Sequence, residues 1–78
     1  MKMKAYVLIK CSAGRVATVL KQIRNVKGVE CAEAVVGPYD IIAYVEAENI
    51  NELGKMVVDK IQKVIGVENT LTSICVEL

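Results

Sequence analysis

The sequence predicts an α+β fold built from two copies of one β-α-β unit, and three observations carry that expectation. The first is an internal repeat at an offset of 38 residues without insertion or deletion: Ala5-Tyr6-Val7 recurs as Ala43-Tyr44-Val45, and Val26-x-Gly28-Val29-Glu30 as Val64-x-Gly66-Val67-Glu68. A self-similar segment of this length is a supersecondary unit. The second is that each copy opens on a short β-rich apolar run and continues into apolar residues at helical spacing. The third is a turn signal, Gly37-Pro38-Tyr39-Asp40, where the copies join. Together they predict β-α-β-β-α-β, a ferredoxin-like sandwich with a four-stranded antiparallel sheet in the order 4-1-3-2 and two helices on one face.

Lys4–Lys10 and its counterpart Ile41–Ala47 read as the central strands, because apolar side chains occupy both alternating faces. Ala5, Val7 and Ile9 point one way with Ala43 and Val45. Tyr6, Leu8, Ile42 and Tyr44 point the other. Val16, Val19, Leu20, Ile23 and Val26 form the first helical stripe, with Ser12 as the expected N-cap and Gly28 as the stop. Ile50, Leu53, Val57, Ile61 and Val64 form the second, opened by Asn49 and Glu52 as a capping box and closed by Gly66. Gly54 inside that helix costs about 1 kcal/mol relative to alanine, and close helix packing is its expected reason. The outer strands are expected from Val29 to about Val36 and from Val67 to about Glu77, and Gly37–Asp40 permits a tight hairpin between the copies.

Residues 1–78 read as one domain, and a chain this short buries only about 60% of its unfolded surface. Its composition is 54% hydrophobic, which leaves apolar side chains for a partner to cover. Two helices cover only one sheet face. Tyr6, Leu8, Ile42 and Tyr44 on the other face predict a dimer packed sheet on sheet, at about 1.5–3 kcal/mol per fully buried large side chain.

Several chemistries are disfavoured by what the chain contains. Cys11, Cys31 and Cys75 are odd in number and widely spaced, which suits neither a disulfide framework nor a paired-thiol metal site, so no metal or cofactor is expected. Tyr6 and Tyr44 match the positions of base-stacking aromatics in RNA-binding sheets, but a net charge of +1 and the lack of phenylalanine point away from nucleic acid. There is no histidine and no convergent acid-base pair, so catalysis is not expected. Arg15, near the start of the first helix, has no companions that complete an anion site. No leader pattern and no apolar run of about 18 residues is present, and a cytoplasmic protein is expected.

The remaining candidate is the connector. Glycine at 37 permits close backbone approach, Tyr39 supplies a stacking wall and Asp40 a carboxylate for an ammonium group. Thr70, Thr72 and Ser73 at the chain's last strand add hydroxyls that serve the same ligand. A turn and a polar strand face are the plain alternatives.

These residues resemble the effector-binding domain of the Lrp/AsnC family. Lys4-Ala5-Tyr6-Val7-Leu8-Ile9, Gly14, Val26-x-Gly28-Val29, Gly37-Pro38-Tyr39-Asp40 and Gly66-Val67-Glu68-x-Thr70-x-Thr72-Ser73-Ile74 carry the resemblance over essentially the whole chain. It implies a domain standing without the helix-turn-helix usual in that family, dimers that assemble further, as far as octamers, and an effector, an amino acid or a related small molecule, bound between dimers. The positions it marks for that ligand are Gly37, Tyr39, Asp40, Thr70, Thr72 and Ser73. Pro38 departs from the amide-bearing residue of the family pattern and removes one N–H donor. The implied role is modulation of transcription through full-length relatives. The alternative is a purely structural oligomerisation domain without a ligand.

Overall fold

The computed structural model describes residues 2–78. Its elements run β1 (Met3–Cys11), α1 (Val16–Arg24), β2 (Val29–Ala34), β3 (Ile41–Ala47), α2 (Ile50–Lys55) and β4 (Val67–Ile74), with a π-helical segment, Met56–Ile61, continuing α2. The four strands form one antiparallel sheet in the order β2-β3-β1-β4, and both helices pack on the same face, as the repeat predicts.

Alternation divides each central strand cleanly. Ala5, Val7 and Ile9 of β1 and Ile41, Ala43 and Val45 of β3 lose all solvent contact beneath the helices, where they meet Val19 and Ile23 of α1 and Ile61 of the π-helical segment. On the opposite face Tyr6 lies across from Tyr44, and Leu8 across from Ile42. The two tyrosine rings are 5.1 Å apart at a 48° tilt, a favourable aromatic geometry. Leu71 and Ser73 extend this face through β4, opposite Leu8 and Tyr6.

Both glycine stops stand where expected: Gly28 at φ +99° and Gly66 at φ +106°. The helix starts divide. Asn49 Oδ1 accepts the Glu52 N–H at 2.9 Å, so its side chain caps α2. Ser12 is not the N-cap of α1; Arg15 stands there without a side-chain cap, and the Ser12 carbonyl accepts the Arg15 N–H instead. Gly54 does not pack closely either, since a Cβ there would meet nothing within 4 Å.

The second helix is not α-helical throughout. The Gln62 N–H donates to the Val57 carbonyl at 2.8 Å, five residues back. Leu53, Val57 and Ile61 are all buried and recur every four residues, and each such step in an α-helix overshoots a full turn by about 40°. Wider π turns take up that excess and keep the stripe on the sheet.

The outer strands end earlier than the sequence suggests, β2 at Ala34 and β4 at Ile74. For β2 the reason is the hairpin. Ala5 pairs with Ile74, so strict repetition would pair Ala43 with Val36; Ala43 instead pairs with Ala32, four residues earlier. Without that slip Tyr39 would have to pair with its chain neighbour Asp40, and no residues would remain to turn. The slip leaves Val35–Asp40 outside the strands, closed by the Val35 N–H donating to the Asp40 carbonyl at 2.9 Å. At the β2 edge, the Arg24 Nε–H donates to the Ala32 carbonyl at 3.0 Å and so blunts the free backbone.

Candidate functional site

The connector is anchored through one residue. The Asp40 N–H donates to the Ile9 carbonyl at 2.9 Å, and Asp40 Oδ2 accepts the Cys11 N–H at 2.8 Å. Lys10 Nζ lies 3.6 Å from the same oxygen. Asp40 thereby fastens the β2–β3 connector to the end of β1. Tyr39 is half-buried beside it, while Gly37 and Pro38 are exposed. Gly37 has an ordinary backbone conformation, and a Cβ there would meet only the Tyr39 carbonyl at 3.9 Å. The fold itself does not require glycine at this position.

Ile41 pairs with Ile9 and Ile9 with Thr70, so Thr70 lies one strand beyond the connector at the same end of the sheet. Its Oγ1 accepts a hydrogen bond from Gln62 Nε2 at 2.9 Å. Thr72 lies opposite Val7, deeper along β4 on the same face, whereas Ser73 lies opposite Tyr6 on the helix-free face. Within one chain the structure therefore groups Asp40, Tyr39 and Thr70 at one end, sets Thr72 further off and turns Ser73 away.

Three polar residues at this end escaped the sequence reading. Gln62, Glu68 and Asn69, with Val67 and Thr70, line a recess of about 310 Å³ at the β4 edge. Glu68 occupies a β-bulge, since Val67 pairs with Cys11 and Asn69 with Lys10. Nothing in the sequence marks Gln62, because only the π turn and the β4 register bring it to Thr70. Burial pushes the Cys11 thiol above its ordinary value of 9.0, the Asp40 and Glu68 carboxylates add to the rise, and Lys10 opposes it. A protonated, buried thiol is a poor nucleophile. Among the described residues no three carboxylate or thiol side chains cluster to hold a metal ion.

A larger groove of about 1,160 Å³ lies at the opposite end, between the exits of α1 and β3 and the second helix, and none of the six candidate ligand residues reaches it. Among the described residues no helix is long and apolar enough to cross a membrane.

A four-stranded antiparallel sheet with two helices on one face and an apolar face opposite defines a ferredoxin-like βαββαβ domain. The family described as the Lrp/AsnC ligand binding domain matches residues 4–78, and the chain belongs to it. Among solved structures it is similar to TTHA0845 from Thermus thermophilus, with a TM-score of 0.92 and 32% identity over 97% of this chain and 95% of that one. An uncharacterized HTH-type transcriptional regulator of Pyrococcus furiosus is 36% identical over 73 residues, 90% of this chain and 49% of the regulator. A homocitrate synthase of Sulfurisphaera tokodaii is 35% identical over 72 residues, 91% of this chain and 15% of the enzyme. The chain thus spans about half the length or less of these two relatives.

Proposed function

We propose that residues 1–78 form one non-catalytic, cytoplasmic effector-binding and oligomerisation domain that binds an amino acid or a related small molecule between subunits. It acts on transcription by joining full-length Lrp/AsnC-type regulators and changing their assembly. The observation that carries this reading is the family match over residues 4–78. The joining of Asp40 to β1, beside Thr70 on β4, supports placing the ligand at that end of the sheet. The similarity to segments of both a transcriptional regulator and a biosynthetic enzyme supports sensing, rather than DNA contact, as the shared task.

The homodimer is the assembly unit in this reading, packed through Tyr6, Leu8, Ile42 and Tyr44, and dimers join further, as far as octamers. A site made by two dimers exists only when they associate, so ligand and assembly promote one another. A thermal-shift screen with the standard amino acids tests the proposal. A ligand at about 100 times its Kd adds about 2.7 kcal/mol, which raises Tm by roughly 10 °C or more for a chain of this size. Asp40→Ala abolishes that shift and leaves the dimer intact. A flat screen overturns the effector reading in favour of a purely structural oligomerisation domain.

A further inference from the structure

Gly54 stands within the second helix, where glycine is the poorest helix former after proline, and a Cβ there would meet nothing of its own chain within 4 Å. Four residues away on either side are Ile50 and Val58, 58% and 53% exposed. The wider turns that hold Leu53, Val57 and Ile61 on the sheet carry these three residues along one line beside them, turned outward. The first repeat closes the same positions. Val16 and Leu20, the counterparts of Gly54 and Val58, are partly buried against the core. Only the second helix presents an exposed apolar line with a gap at its centre.

We propose that this line is a contact surface for a second copy of the chain, the two helices crossing antiparallel about a twofold axis that passes between Met56 and Val57. The line is self-complementary in that arrangement. Val58 of each chain comes within about one residue, or about 1.5 Å along the axis, of the partner's Gly54 and fills the gap above it. Glycine permits the close backbone approach this needs. Lys55 and Asp59 follow Gly54 and Val58 by one residue each, so both lie on one flank of the line, and both are exposed. The same axis sets each Lys55 beside the partner's Asp59. Neither has an ion-pair partner in its own chain, since among the described residues the salt bridges are Lys10 to Asp40 and Arg24 to Glu33. A side chain for the gap and an opposite charge for each charge both come from the same helix reversed, which singles out a second copy as the occupant.

The second helix and the open face of Tyr6, Leu8, Ile42 and Tyr44 lie on opposite sides of the sheet, so this contact leaves that face free. A chain that uses both has two isologous contacts, and such pairs of contacts close into dihedral assemblies. The helix contact does not depend on the effector reading. Its area is small and its ion pairs are exposed, so it is the weaker of the two and opens at the dilution of a sizing column.

The experiment is sedimentation equilibrium of the full chain from about 10 μM to about 1 mM, the range in which weak contacts form. The mass is expected to double beyond that of the dilute species as concentration rises. Gly54→Leu fills the gap with a good helix former; it weakens this step about tenfold or more without lowering the melting temperature. Lys55→Glu and Asp59→Lys each set like charges together at two places, and each weakens the step about tenfold. An equimolar mixture of these two variants, one bringing two acids and the other two bases, restores association to within about threefold of the parent, a recovery that misfolded chains could not show. Leu8→Asp, which acts on the open sheet face, keeps the concentrated step. The proposal is overturned if the parent shows no further association at about 1 mM, if Gly54→Leu associates as the parent does, or if the mixture is no stronger than its parts. Loss of the concentrated step in Leu8→Asp would assign it to the sheet face and overturn the proposal equally.

Discussion

At Gly66 the chain leaves its second helix with φ +106°, and a Cβ added there would stand 2.8 Å from Val19 Cγ2 and 3.0 Å from Arg15 Cβ. Backbone strain and collision with a fully buried valine act together. Gly66→Ala is expected to cost about 1–3 kcal/mol and lower Tm by roughly 5–15 °C. A melting temperature unchanged within a degree or two would contradict this account. The requirement was legible in the sequence, because Gly28 and Gly66 both follow a helical stripe and precede Val-Glu. Asp40 shows the limit of such reading. Its residue type and its place beside Tyr39 suggested a ligand partner, but only the fold shows the Cys11 N–H bound to it.

At the scale of elements, α2 and its π-helical continuation form the least regular part of the structure. The apolar stripe announced a helix over 50–64, and its four-residue spacing from Leu53 to Ile61 held the cause of the wider turns. A helix-or-strand reading has no place for that third geometry. Gly54 was assigned to close packing, yet open space surrounds its missing Cβ. Gly54→Ala is therefore expected to stabilise the helix by about 0.5–1 kcal/mol, seen as a Tm gain of a few degrees. A loss of stability would mean that a neighbour not present in a single chain packs against that position. The β2 boundary was misplaced for a different reason. Turn chemistry marked Gly37–Asp40, but the length of the turn depends on the register between β2 and β3, which is a property of the pair.

For the whole molecule, the sheet order and the single covered face followed from the repeat and the handedness of its crossovers. The face left open carries Tyr6, Leu8, Ile42 and Tyr44 as expected, and β4 adds Leu71 and Ser73, which the polar composition of that strand concealed. Tyr6 remains 47% exposed and Leu71 50% in the single chain, and apolar side chains left open together on one face are what a subunit contact would cover. Leu8→Asp sets a charge at the centre of this face and is expected to convert the dimer to a monomer in size-exclusion chromatography with light scattering. Retention of the dimer would place the subunit contact elsewhere. The recess at the β4 edge was beyond the reach of sequence, since Gln62, Glu68 and Asn69 meet only through a π turn, a bulge and a strand register acting together.

The four-residue slip of β2 also fixes a count. Two faithful copies of a unit would offer two equivalent ends, each able to receive a ligand, and such a chain would be bivalent. Closing the hairpin removes that equivalence: one end gains the connector, and the other is left with a wide groove lined by lysines and carboxylates together. In the effector reading proposed above, each subunit is thereby expected to be monovalent despite its internal duplication, with saturation of the assembly following the number of chains rather than the number of repeats.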